Sequence, residues 1–119
     1  MEIKNSDHEK LNNAIEFFKR GKYHQTLYAL KELEKNNNNF IIHWYLGHTY
    51  FKLHEYKDAI NQIKKSIELN SKDSINLNFL GEIYLQINEH HNALKLFEEV
   101  LNFDKNNKAA ILNLAKLYL

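Results

Sequence analysis

The chain has 119 residues, of which 44% are hydrophobic and 26% are charged, and its formal net charge is +1. These proportions are typical of one folded domain and differ from the low hydrophobicity and high net charge of disordered chains. The absence of cysteine excludes disulfides, thiolate catalysis and cysteine-ligated metals, and the three glycines lie too far apart to form a phosphate-binding loop.

Apolar residues recur at helical spacing along the chain, which predicts an all-α protein without strands. In the stretch 40–53, for example, Leu46, Gly47 and Tyr50 lie on one face of a helix. Asn, Asp and Ser are concentrated between the helical stretches, where they can end one helix and cap the next. In chain order the predicted helices are residues 7–20, 23–36, 40–53, 56–69, 74–87, 90–103 and 108–119.

The predicted helices form pairs that repeat along the chain. A shift of 34 residues aligns identical residues: Ile41 with Ile75, Leu46 with Leu80, Gly47 with Gly81, Tyr50 with Tyr84, Glu55 with Glu89 and Ala59 with Ala93. A weaker copy precedes these two, and half a copy follows them. The predicted organisation is therefore an N-terminal extension (1–6), three repeats (7–39, 40–73 and 74–107) and a capping or truncated half repeat (108–119).

The spacing of Leu, Gly, Tyr and a later small residue resembles the tetratricopeptide repeat (TPR) family over nearly the whole chain. The sequence departs from the family pattern at its Trp slot, which holds His43 in the second repeat and Leu77 in the third. The resemblance implies an α-solenoid of stacked antiparallel helix pairs wound into a right-handed superhelix, with the first helix of each repeat lining a concave groove. Small residues such as Gly47 and Ala59 are expected where the two helices of a repeat cross.

The groove implied by this resemblance is rich in aromatic residues and poor in charge. Trp44 follows the Trp slot by one residue, a rotation of about 100° that turns it towards the groove. The expected groove residues are Leu11, Asn12, Ile15, Trp44, Tyr45, His48, Phe51, Asn78, Phe79, Glu82, Leu112, Asn113 and Lys116. This set predicts a protein–protein interaction scaffold or adaptor that binds a peptide or a partner helix. The alternative is that Trp44, Tyr45 and Phe79 belong to the core.

Two binding modes known in the family were compared with the sequence. One is a carboxylate clamp of two Lys, two Asn and one Arg that grips an acidic chaperone tail. Its slots hold Leu11, Ile15, Tyr45, Ile75 and Phe79 here, so acidic chaperone tails are not expected as ligands. The other is an Asn ladder for a peptide backbone, which Asn12 and Asn113 match and two aromatic residues interrupt.

Other chemistry finds little support in the sequence. His43 and His48 lie on different helix faces and His90 and His91 point apart, so neither a metal site nor any other cofactor is expected. No arrangement typical of catalysis is found, and we expect no enzyme activity. Arg20 is the only arginine, which leaves an RNA-binding helical repeat as a remote alternative. Neither a membrane span nor a signal peptide is recognised, which predicts a cytoplasmic protein without membrane or nucleic-acid partners.

The last predicted helix is apolar on nearly all sides, which is unusual for the end of a solenoid. Ile111, Leu114 and Tyr118 form one stripe that is expected to pack on the preceding repeat. The remaining apolar residues, Leu112, Leu117 and Leu119, then predict self-association as a homodimer through residues 108–119. The alternative is a segment of a larger repeat protein whose groove or C-terminal end is filled by another chain.

Overall fold

A computed structural model describes residue 3 and residues 5–118 of the chain. The described residues form seven α-helices and no strand, so the predicted all-α fold class is confirmed. The helices are α1 (Asn5–Lys19), α2 (Tyr23–Glu34), α3 (Phe40–Lys52), α4 (Tyr56–Leu69), α5 (Ser74–Gln86), α6 (His90–Phe103) and α7 (Lys108–Tyr118). Each boundary lies within two residues of its prediction, except that the predicted end at residue 119 lies outside the described part.

The chain divides into two compact units, residues 1–69 with helices α1 to α4 and residues 70–119 with helices α5 to α7. In the first unit α1 packs on α2, α2 on α3 and α3 on α4. In the second unit α5 packs on α6, and α6 on α7. Packing between helices that follow one another in sequence is typical of an α-solenoid, in which each repeat contacts its neighbours.

Glycine allows the two helices of a repeat to approach closely. A Cβ atom added at Gly47 in α3 would overlap the side chain of Ile63 in α4. At the equivalent position of the second unit, a Cβ atom at Gly81 would overlap the Phe97 ring of α6. Ile63 and Phe97 are both fully buried, so the predicted close approach of the paired helices is confirmed at Gly47 and Gly81.

The turn within each repeat contains one residue in the left-handed region. Gly21, His54 and Asn88 have φ angles of 75°, 62° and 62° and lie at equivalent positions of the three repeats. The N–H of the following residue returns to a carbonyl near the end of the first helix, as from Glu55 to Tyr50 at 2.9 Å. This pairing satisfies carbonyl groups that the end of a helix leaves without partners.

The first helix of the second repeat, of the third repeat and of the half repeat begins after an Asn or Asp cap. Oδ1 of Asn39, Asp73 and Asn107 accepts a backbone N–H from the first turn of α3, α5 and α7 at 2.8–3.0 Å. The three residues are separated by 34 positions, so the cap recurs with the repeat. The predicted capping role of the polar joints is confirmed at these positions.

The packed face of α7 differs from the prediction. Ala110 and Asn113 are buried, whereas Ile111 and Tyr118 are 47% and 75% exposed. The predicted stripe of Ile111, Leu114 and Tyr118 is therefore wrong, and only Leu114 is half-buried. The reason lies in the repeat: the matching face of α5 is covered by α6, and no second helix follows α7 within the described residues.

Candidate functional site

Four rings on α1 and α3 form a connected surface group in the first unit, which we call the aromatic cluster: Phe18, Trp44, Tyr45 and His48. The Tyr45 ring lies edge-on to Phe18, with centroids 5.4 Å apart, and edge-on to Trp44 at 4.8 Å. The centroids of Trp44 and His48 are 3.9 Å apart, with the rings tilted by 35°. All four rings are half-buried, so each is held by its neighbours and still presents surface.

The local sequence explains why Trp44 reaches the surface. His43 occupies the buried position of α3 and is only 3% exposed, so the next residue is rotated by about 100° towards the edge of the packed face. Trp44 and His48 are one helical turn apart, which places their rings side by side. The prediction that Trp44 leaves the most buried seam agrees with its half-buried environment.

The cluster carries no charge near neutral pH. Burial lowers the pKa of His48 from 6.5 to about 4, and the positive charge of Lys52, one turn further along α3, adds to the effect. The imidazole is therefore neutral at pH 7 and extends the apolar surface of Trp44.

The other expected groove residues differ widely in exposure. In the first unit, Asn12 is exposed and Ile15 and Phe51 are half-buried, whereas Leu11 belongs to the core. In the second unit, the exposed ones are Glu82, Leu112 and Lys116. Which of them contact a partner stays a prediction.

Four residues expected in the groove are buried instead, which corrects the sequence analysis: Leu11, Asn78, Phe79 and Asn113. Leu11 packs in the core of the first unit. Asn78 Nδ2 donates to Asn107 Oδ1 at 2.9 Å, and Asn113 Nδ2 donates to Glu82 Oε1 at 3.4 Å. Sequence spacing alone underestimated how much of each first helix its neighbours cover.

The three residues expected to mediate self-association are not alike. Leu112 is 62% exposed, whereas Leu117 is half-buried and lines a small cleft of about 170 Å³ together with Leu94. Leu119 lies outside the described residues. Of the three, Leu112 is therefore the one whose described side chain is freely presented.

A buried polar group around His43 was missed by the sequence analysis. Its Nδ1 lies 2.7 Å from Gln62 Oε1, and its Nε2 lies 3.1 Å from Asn38 Oδ1. Gln62 Nε2 donates to Glu34 Oε2 at 3.0 Å, and the same carboxylate oxygen lies 3.5 Å from His43 Nδ1. These side chains come from α2, the α2–α3 joint, α3 and α4, and no motif in the sequence links them.

The same group borders an open cleft of about 410 Å³ in the first unit. The cleft is lined by Glu34, Asn37, Asn38, His43, Lys65, Glu68 and Leu69. No set of three or more His, Asp or Glu residues in the described part of the chain is arranged to hold a metal ion. Among residue 3 and residues 5–118, no helix is both long and apolar enough to span a membrane.

Comparison with known proteins gives two matches to family models, each described as a tetratricopeptide repeat. They cover residues 40–73 and 76–107, which together are more than half of the chain. The chain belongs to the tetratricopeptide repeat family. TPR repeats serve in general as protein–protein interaction modules rather than enzymes.

Solved TPR structures share the fold at low sequence identity. A crystal structure of MamA is 20% identical, with a TM-score of 0.89 over 96% of this chain and 67% of that one. The second TPR domain of human RPAP3, solved in complex with an HSP70 peptide, is 22% identical, with a TM-score of 0.83 over 92% of both chains. The first TPR of Spaghetti (RPAP3), bound to an HSP90 peptide, is 21% identical, with a TM-score of 0.82 over 92% of this chain and 87% of that one. These likenesses show the TPR α-solenoid fold, and no curated protein sequence gives a significant match.

Proposed function

We propose that this TPR protein is a non-catalytic adaptor that binds a peptide or an amphipathic helix of a partner protein through the aromatic cluster. The observation that carries the proposal is the half-buried Trp44 ring, held between Tyr45 and His48. Aromatic rings that are fixed in place and partly exposed supply large contact areas at low entropic cost, and they are the usual anchors of interfaces.

The surroundings of the cluster favour an apolar anchor on the ligand. Ile15 of α1 and Phe51 of α3 are half-buried in the same unit, and the imidazole of His48 is neutral at pH 7 because burial lowers its pKa. We infer that the ligand presents one or two large apolar side chains, as an amphipathic helix does.

Acidic chaperone tails do not fit this proposal, although two structural neighbours are bound to such peptides. Gripping a terminal carboxylate needs cationic and amide side chains in the clamp slots. In the first unit those slots hold Leu11, Ile15 and Tyr45, and in the second unit Ile75 and Phe79. Nucleic acid is equally unsuited, because the cluster offers Lys52 of α3 as its near cation and is otherwise apolar.

The direct test is selection of helical peptides on the intact chain, followed by binding measurements on Trp44→Ala. Trp44 is the only tryptophan, so its fluorescence reports occupancy of the cluster in the unsubstituted protein. For Trp44→Ala, binding of a labelled peptide is expected to weaken by about 30-fold, equivalent to about 2 kcal/mol, with an unchanged helical circular dichroism signal.

The matched control is Tyr28→Ala, which removes an aromatic side chain that is 74% exposed on α2, outside the cluster. This variant is expected to bind the same peptide with unchanged affinity. Equal affinities for Trp44→Ala and the unsubstituted chain would contradict the proposal. Unfolding of Trp44→Ala would instead assign Trp44 to the core.

A further inference from the structure

Four exposed residues of α7 form one continuous stripe along the helix. Lys108, Ile111, Ala115 and Tyr118 are separated by intervals of three, four and three residues, and all four are exposed. This spacing places them on the side of α7 opposite to the buried Ala110 and Asn113. The α7 stripe therefore has the spacing of a helix-pairing seam and, among the described residues, no helix covers it.

The third repeat shows what such a face does when it is covered. The residues of α5 equivalent to Ile111, Ala115 and Tyr118 are Leu77, Gly81 and Tyr84, all of which are buried. Gly81 lies against the Phe97 ring of α6. The α7 stripe is thus a repeat of a helix-packing face, so its natural occupant is another helix.

The stripe is complementary to itself when two helices run antiparallel. Asn113 is midway between Ile111 and Ala115, and also midway between Lys108 and Tyr118. In an antiparallel pair centred at this point, the large Ile111 of one copy meets the small Ala115 of the other, and each Lys108 meets a Tyr118 ring. Large-on-small packing fills the seam, and lysine over an aromatic ring is a favourable pairing.

We propose that two copies of this chain form a symmetric dimer through antiparallel pairing of their α7 stripes. In a parallel pair, by contrast, the two Lys108 charges would face each other, and the two large Ile111 side chains would face each other across the seam. The antiparallel arrangement also brings each Lys108 to the C-terminal end of the other helix, where positive charge is favoured. This dimer goes beyond the proposed ligand binding, and its contacts differ from the sequence expectation of Leu112, Leu117 and Leu119.

Sedimentation of the intact chain at micromolar concentrations tests the dimer. The expected species has twice the 14.2 kDa mass of one chain. Ala115→Glu places a charge in the centre of the seam and is expected to raise the dimer dissociation constant at least tenfold. Ala109→Glu is the matched control, because it makes the same change at an exposed α7 position outside the stripe, and it is expected to leave the constant unchanged.

A residue swap tests the antiparallel pairing. Ile111→Ala leaves a gap and Ala115→Ile overfills the seam, so each single variant is expected to weaken the dimer. The double variant Ile111→Ala, Ala115→Ile restores one large and one small residue at each level and is expected to recover most of the affinity. A monomer across the concentration range would overturn the proposal, as would equal effects of Ala115→Glu and Ala109→Glu. A monomer that binds only a foreign amphipathic helix on this stripe would assign the face to another partner.

Discussion

The second and third repeats fill the same buried position with opposite kinds of side chain, one polar and one apolar. His43 and Leu77 are equivalent residues of α3 and α5, and each is only 3% exposed. Around His43 the neighbouring helices supply Gln62 and Glu34, which are hydrogen-bonded to each other. In the third repeat Leu96 stands where Gln62 stands in the second.

The difference shows that a buried polar side chain in this fold depends on a set of partners. A buried imidazole costs free energy unless its nitrogens are hydrogen-bonded, whereas a leucine in the same place needs only van der Waals contacts. A cleft of about 410 Å³ lies beside His43, and charged side chains such as Lys65 line it. A repeat therefore accommodates either the polar pair, His43 with Gln62, or the apolar pair, Leu77 with Leu96. Combining a polar residue with an apolar one at these two positions is expected to destabilise the repeat.

The largest effect is expected when a histidine is placed in the third repeat without partners. Leu77→His should lower the free energy of unfolding by about 3 kcal/mol, because it removes a buried apolar side chain and buries a polar ring. Adding Leu96→Gln should restore part of the loss by supplying an acceptor. Urea denaturation of the single and double variants measures both effects.

The converse change in the second repeat is the control. His43→Leu alone leaves Gln62 without its imidazole partner and should destabilise by about 1–3 kcal/mol. The pair His43→Leu, Gln62→Leu recreates the third repeat and should lose less than the single change. If the single variant were as stable as the pair, the polar set would not act as a unit.

A smaller effect is expected from pH, through His48, whose equivalent in the third repeat is Glu82. The folded chain holds His48 neutral down to about pH 4, because burial and Lys52 lower its pKa from 6.5. The unfolded chain takes up a proton below pH 6.5, so the free energy of unfolding should fall as pH decreases from 6.5 to 4. The expected fall is about 2 kcal/mol, because the partial exposure of the ring weakens the full effect of the shift.

This contribution is measured as the difference between the unsubstituted chain and His48→Gln in urea denaturation at each pH. The difference in pH dependence should vanish above pH 7 and reach its full value near pH 4. His24→Gln, a change at an exposed histidine of α2, should leave the pH dependence in place. An identical pH profile for His48→Gln and the unsubstituted chain would show that His48 titrates normally in the folded state.

The smallest effect is expected at the turns, where the first repeat differs from the other two. Gly21 adopts the left-handed conformation without cost, whereas His54 adopts it at φ 62° with a Cβ atom. His54→Gly should therefore raise the free energy of unfolding by about 0.5–1 kcal/mol, and Asn88→Gly by less, because Asn tolerates this region. Thermal unfolding followed by circular dichroism measures the change.

The reverse substitution checks the backbone origin of this effect. An added Cβ at Gly21 meets no atom within 4 Å, so any loss in Gly21→Ala comes from the backbone conformation alone. Stability equal to that of the unsubstituted chain would contradict the explanation given for His54→Gly.

Sequence reasoning located the helices well because the signals are local. Helical spacing, the caps such as Asn39 and the recurring Leu46-Gly47 pair are read within one or two turns, and they reproduce the helix boundaries closely. The packed face of α7 was predicted wrongly because Ile111 and Tyr118 were expected to pack on the preceding repeat. These two residues are equivalent to Leu77 and Tyr84 of α5, and α5 packs on α6, the second helix of its own repeat.

The candidate site was predicted only in part, for a related reason. Trp44 and Tyr45 were identified from their offset from the His43 slot, which is a local property of α3. The partners of His43 were not, because Gln62 lies 19 residues away and reaches Glu34 across 28 residues. Pairings of this kind depend on how α2 and α4 approach α3, and a single sequence contains no spacing rule for them.

The recurring caps also bear on how such a chain can lengthen. Asn39, Asp73 and Asn107 each start a helix using only their own side chain and the turn that follows. A gene duplication of residues 40–73 would therefore place Asp73 directly before a second copy of α3, where it can serve as the cap that Asn39 provides now. The duplication would need no new junction sequence. The number of repeats can therefore change in one genetic event while the first helix of each repeat keeps its N-terminal cap.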